Sequence, residues 1–130
     1  AYVLNVGDSR AYKITRRKIT QITRDHSLVQ DMVDRGEISA EEARTHPRRN
    51  VITRALGVDE NVPSDSFAPR LARGDILLLC SDGLTNMLTD KEIFLAAKEH
   101  RDPLSLSRAL MKAALERGAR DNVTIIALTK

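Results

Sequence analysis

Tryptophan is absent, cysteine occurs once, and aromatic residues make up only 3% of 130 residues. Each shortage excludes something. A single cysteine, Cys80, cannot close an internal disulfide, and this fits a reducing compartment. The core must be aliphatic, because two Tyr and two Phe cannot fill it. Few aromatics also argue against a stacking platform for single-stranded nucleic acid. No apolar run is long enough to span a bilayer, and no secretory leader is visible. The first residue is Ala1 rather than Met, and the chain opens directly in an apolar strand. We read this as the start of a piece of a longer protein. No His–Cys cluster is available for a soft metal.

What is present is a chain of single-domain size with 42% hydrophobic residues, enough for a core. The net charge is +3 and the sequence pI about 9.3. That mild excess permits nucleic-acid or membrane contact without indicating either, and it would equally suit phosphorylated substrates.

The chain is organised around Ile76–Leu84, ILLLCSDGL. Five apolar residues, Ile76 to Cys80, run unbroken between Gly74-Asp75 and Asp82-Gly83. Such a run bounded by turn signals predicts a strand buried on both faces. A carboxylate then sits where a core strand leaves the interior, although Asp-Gly is also a common turn pair. Two further stretches repeat the arrangement. VGDSRAY places Asp8 after a strand at 1–6, and RDNVTII places Asp121 before a strand at 123–128. Three strand-end carboxylates could meet at one sheet edge, and oxygen-only ligands suit magnesium or manganese.

Between these landmarks the expected elements are mixed. Residues 10–16 and 18–23 alternate as a hairpin with its turn at 16–18. Ser27 with Gln30, Ser39 with Glu42 and Thr89 with Glu92 form three capping-box patterns, each opening a helix. Asp102-Pro103 opens a fourth, which Gly118 ends. A strand is expected at 50–56 and a weak edge strand at 67–71, limited by Pro69. Residues 27–50 form a polar helical insert. Strands followed by two long helices predict an α+β fold with a helical layer on a sheet.

GDSRAY, DHSLV, HPRRNVITRALG, LLLCSDGL and DNVTII occur in this order. Together they resemble the C-terminal half of a bacterial protein phosphatase of type 2C, the metal-dependent PPM family. The resemblance covers nearly the whole chain. It implies part of a four-layer α-β-β-α sandwich with mainly antiparallel sheets. It also implies a single catalytic domain of which 1–130 is the C-terminal part, with 27–50 as a flap beside the active site. The implied activity is hydrolysis of phosphoserine and phosphothreonine in proteins by a metal-activated water, without a protein nucleophile. By the same resemblance Asp82 and Asp121 would be metal ligands, and Asp8 would belong to a third, weaker metal site. His46 and Arg49 of the flap would contact substrate. Two or three manganese or magnesium ions would serve the complete enzyme. The implied setting is cytoplasmic, with phosphorylated proteins as substrates and a bacterial Ser/Thr protein kinase as counterpart.

The family's early acidic residue, phosphate-holding arginine and DGMGGH-like segment do not occur in this sequence. This chain alone is therefore expected to be inactive, and an inactive regulatory or binding module of the same fold is the alternative. Cys80 is rejected as a nucleophile: no arginine follows it across Ser81–Leu88, and no neighbour stabilises a thiolate. His26 and His46 read as hydrogen-bonded loop residues. His100 sits where it favours a helix dipole. Arg44, Arg48, Arg49 and Arg54 form the densest basic cluster, a solvated face or a surface for acidic and phosphorylated segments.

Overall fold

A computed structural model describes all residues, 1–130. The central strand is β5, Ile76–Cys80, and it lies inside a four-stranded antiparallel sheet. Its neighbours are β2, Arg10–Ile14, and β6, Ile125–Thr129. β3, Ile19–Gln21, forms the edge beyond β2, so the order is β3-β2-β5-β6. β1, Val3–Asn5, and β4, Asp65–Phe67, pair separately as an antiparallel ribbon.

The unbroken apolar run of β5 follows from its two covered faces. Ile76, Leu78 and Cys80 point into the main core with Tyr12, Ile14, Leu84, Ile93, Leu106 and Leu110. Burial of each large side chain there stabilises the fold by roughly 1.5–3 kcal/mol. Leu77 points the other way, into a smaller cluster with Val3 and Ala11, against which Phe67, Leu71 and Leu79 pack. The layers are therefore a helical pair, the four-stranded sheet and the two-stranded ribbon. This confirms the α+β, antiparallel architecture.

The helical pair is α4, Asp90–Glu99, and α5, Pro103–Glu116. α4 starts with a complete Thr89–Glu92 capping box, and α5 with Asp102 as N-cap and Pro103 in its first turn, as expected. The insert holds α1, Leu28–Asp34, and α2, Ala40–Thr45. The Ser39–Glu42 box is complete. The Ser27 box is half made: Ser27 Oγ accepts from the Gln30 amide, but the Gln30 side chain donates to Asp34 instead.

Three expectations need correction. No strand forms over 50–56; Ile52 makes one isolated bridge to Ser27. Val51, Ile52 and Leu56 are exposed, and no neighbouring strand is there to supply a ladder. The edge strand expected at 67–71 lies at Asp65–Phe67, ahead of Pro69, whose missing N–H bars it from a ladder. Asp82-Gly83 is not a turn but opens a short helix, α3, Asp82–Thr85.

Several large apolar side chains at and just before β1 and on β6 are exposed. Tyr2 is 88% exposed, Leu4 71%, Ile126 48% and Leu128 49%. The accessible surface is 8321 Å², against about 6,900 Å² for a compact monomer of this mass. Apolar side chains left open on β6 and at and just before β1 account for part of that excess.

Candidate metal centre

The site begins where β5 leaves the core. Ser81 is the N-cap of α3, and it joins the end of β5 to the approach of β6. The Ser81 amide donates to the Thr124 carbonyl at 3.1 Å. Its hydroxyl accepts from the Thr124 amide at 3.0 Å and donates to the Asn122 carbonyl at 3.2 Å. Gly83 then passes so close to Asn122 that a Cβ there would lie 2.3 Å from the Asn122 carbonyl oxygen. Asp82 and Asp121 are consequently carried on two segments clasped together, although 39 positions separate them in sequence.

Asp8 lies in the loop between β1 and β2. That loop is at the same sheet edge, because Arg10 pairs with Cys80 and Cys80 with Ile125. Burial pushes the Asp8 carboxyl above its ordinary value, and the charge of Asp82 pushes it further in the same direction. The two carboxylates therefore feel each other. None of Asp8, Asp82 and Asp121 takes part in an ion pair. Asp121 Oδ1 accepts from the Asn122 amide at 2.7 Å, and Asn86 donates to Asp82 Oδ2 at 3.4 Å. No group of three or more His, Cys, Asp or Glu side chains converges closely enough to hold an ion by itself. The donor chemistry nevertheless fits a hard cation: the oxygens are charged, partly exposed and lack a basic partner.

Behind the acidic edge stands a network that the sequence reading passed over. Asp25 is buried and receives Arg10 in a forked contact, with Nε at 3.0 Å from both oxygens and Nη2 at 2.7 Å from Oδ2. Gln21 adds a bond to Asp25 Oδ1 at 3.0 Å. Arg10 also donates to the Tyr12 hydroxyl, which donates to Asp90. This pair anchors the start of β2 just after Asp8. The signal was available: Arg10 and Asp25 both lie in quoted motifs, but only the fold shows that they meet.

His26 is fully buried, as a structural rather than an acid–base residue. The Gly7 amide donates to His26 Nδ1 at 3.0 Å, and the His26 amide returns a bond to the Gly7 carbonyl. The ring proton therefore lies on Nε2, which faces Asp65 Oδ2 at 2.9 Å. His26 and then Arg54 hold the Asp65 carboxyl below its usual value. The loop bearing Asp8 is thereby tied to the segment that follows the flap.

The flap residues are placed less tightly. His46 caps α2, and its Nδ1 accepts from the Arg48 amide. Arg49 is exposed and reaches only the His46 carbonyl, at 3.5 Å. Arg44 bridges the flap to the site by donating to the Thr85 carbonyl of α3 at 3.2 Å. Cys80 is buried, and burial pushes its thiol up to about 12, which excludes it as a thiolate nucleophile.

Comparison with known proteins gives four concordant results. A family model described as Stage II sporulation protein E (SpoIIE) matches residues 32–130. The serine/threonine phosphatase stp of Listeria monocytogenes is 42% identical over 124 residues, 95% of this chain and 49% of that protein. The crystal structure of Ser/Thr phosphatase Stp1 from Staphylococcus aureus superposes with a TM-score of 0.95 at 46% identity, covering 99% of this chain and 51% of that one. The catalytic domain of Ser/Thr protein phosphatase PstP, solved with two manganese ions, superposes at 0.78 with 36% identity over 97% of this chain and 51% of that one. The chain spans about half the length of the Listeria relative.

Proposed function

The chain belongs to the PPM family of type 2C protein phosphatases, and from that premise we propose that it is the C-terminal part of one catalytic domain that hydrolyses phosphoserine and phosphothreonine in proteins. The observation that carries this reading is the clasp of Ser81 and Gly83 on 122–124, which brings Asp82 and Asp121 to one edge. Asp82 and Asp121 would hold a manganese or magnesium ion, and Asp8 would serve a further, weaker site. When bound, such ions activate water at neutral pH and neutralise charge on the phosphoryl oxygens.

The residues of this chain hold that arrangement in place. Ser81 fixes the distance between the two ligand-bearing segments. Arg10 and Asp25 fix the start of β2, and His26 fixes the Asp8 loop. Arg49 and His46, on the flap, would meet the phosphoprotein. Their loose tethering suits a surface that adapts to different chains.

This chain by itself supplies fewer donors than an ion needs. It should therefore turn over phosphoproteins only as part of the whole domain. The exposed apolar side chains of β6, Ile126 and Leu128, support the same reading, since a sandwich sheet requires cover. We place the whole protein in the cytoplasm, opposing a bacterial Ser/Thr protein kinase. No helix of the structure is long and apolar enough to cross a membrane. A second reading, a regulatory module with the same fold and no turnover, draws on the lack of a three-donor cluster.

The test is calorimetric manganese titration of the full-length polypeptide, run beside phosphate release from a phosphothreonine peptide. Asp82→Asn and Asp121→Asn should each weaken manganese binding by at least tenfold and suppress release by orders of magnitude. Unchanged manganese binding in both variants would refute the ligand assignment. Tight manganese binding with no release in the unaltered protein would favour the regulatory module.

A further inference from the structure

The acidic edge has a basic counterpart at the other end of the sheet. β5 runs from Ile76 to Cys80, with Asp82 beyond one end and Gly74 beyond the other. At the Gly74 end a concavity of about 630 Å³ is lined by the cations Arg16, Arg73, Lys98, Arg101 and Lys130 and by one carboxylate, Asp102. The strand alone separates the two ends by at least ~13 Å. We propose that this concavity is a second anion site, taking a compact multivalent oxyanion of the phosphate class, separate from the phosphoryl group handled at the acidic edge.

Four observations carry it. First, four separate pieces of chain bring the cations together: the β2–β3 turn, the approach to β5, the last turn of α4 with the junction after it, and the end of β6. Second, none of the five has a carboxylate partner within ion-pair distance. Five like charges gathered around one carboxylate leave a net repulsion, and a bound anion relieves it. Third, the cations outnumber the one carboxylate of the lining: Asp102 stays ionised as the cap of α5, accepting from the Ser105 hydroxyl and amide and the Leu104 amide, and stands against five positive groups. Fourth, Arg101 is fixed, donating to the Gly74 carbonyl at 2.6 Å and the Ala97 carbonyl at 3.4 Å.

The lining also selects among anions. It contains no hydrophobic residue, so it offers no aromatic platform for a nucleobase and no slot for an acyl chain. Three guanidinium groups supply the forked donors that match phosphate oxygens. The volume falls within the range of small-ligand sites.

The test is an amide-shift titration of the full-length polypeptide with pyrophosphate in metal-free buffer, where the acidic edge repels the probe. The expected result is saturable binding, with shifts concentrated at Gly74, Arg101 and Thr129. The double variant Arg16→Glu/Arg73→Glu should weaken it by roughly tenfold or more, because two reversals replace attraction by repulsion. Neither side chain makes a hydrogen bond or ion pair, and both are exposed, so the variant should fold. It leaves Asp82 and Asp121 untouched, so manganese-dependent phosphate release should persist whether or not the anion site exists. The same shifts from chloride at matched ionic strength would overturn the proposal, as would unchanged affinity in the variant. Saturation by a single-stranded oligonucleotide but not by pyrophosphate would also overturn it, in favour of a nucleic-acid surface.

Discussion

Gly83 and Asn122 are in direct backbone opposition: a Cβ on Gly83 would stand 2.3 Å from the Asn122 carbonyl oxygen and 3.3 Å from a methyl of Val123. The glycine is needed for space and not for a left-handed conformation, since its φ is not positive. The contact sets how closely the Asp82 and Asp121 segments approach.

Gly83→Ala should therefore destabilise the fold by roughly 1–3 kcal/mol, the usual cost of overpacking. Alanine is the better helix former by about 1 kcal/mol, so a purely helical effect would have the opposite sign. Urea unfolding distinguishes them. A variant as stable as the unaltered protein, or more so, would show that the segments separate without cost.

Cys80 should resist iodoacetamide in the native protein at pH 8. The residue is 4% exposed, and burial pushes its thiol up to about 12. Labelling should appear only as urea unfolds the chain, and phosphate release by the whole enzyme should survive alkylating conditions. Fast native labelling that abolishes activity would contradict the rejection of a cysteine mechanism.

Glu92 closes the capping box of α4 and receives Arg117, whose Nη2 lies 2.6 Å from Oε1. The Arg117 contact first, then the Thr89 amide, holds the Glu92 carboxyl down to about 2. A carboxyl depressed in the folded state stabilises above its unfolded value, near 4.5, and that stabilisation is lost as pH falls toward 2. Glu92→Gln keeps a residue able to close the capping box but removes the charge facing Arg117, and should cost up to about 1 kcal/mol at pH 7, in the range of a half-exposed ion pair. The difference from the unaltered protein should shrink between pH 4.5 and 3 in chemical denaturation. A difference that stays constant over that interval would assign the effect to packing instead.

The 27–50 flap should exchange its amides faster than Ile76–Cys80. α2 has no buried residue and α1 only Val29, whereas β5 is hydrogen-bonded on both edges. Arg44→Ala removes the bond to the Thr85 carbonyl and should speed exchange across 40–45 by several-fold, leaving β5 unchanged. Equal protection of flap and β5 would rule out a mobile flap.

Much of this was legible in one dimension because the physics is local. The unbroken run Ile76–Cys80 announced a strand covered on both faces. Ser39, Thr89 and Asp102 announced helix starts, since a cap is satisfied within three residues. The ordered motifs pointed to the family and to the candidate ligands Asp82, Asp121 and Asp8. The expected strand at 50–56 failed because a strand exists only when another chain segment supplies its ladder, and periodicity carries no information about that neighbour. The Arg10–Asp25 fork, the seat of His26 on Gly7, the Arg44–Thr85 bridge and the gathering of Arg16, Arg73 and Arg101 were decided by the tertiary structure alone. Each joins residues distant in sequence. Only the antiparallel pairing of β2, β5 and β6 fixes which loops share an edge, and so which charges face each other.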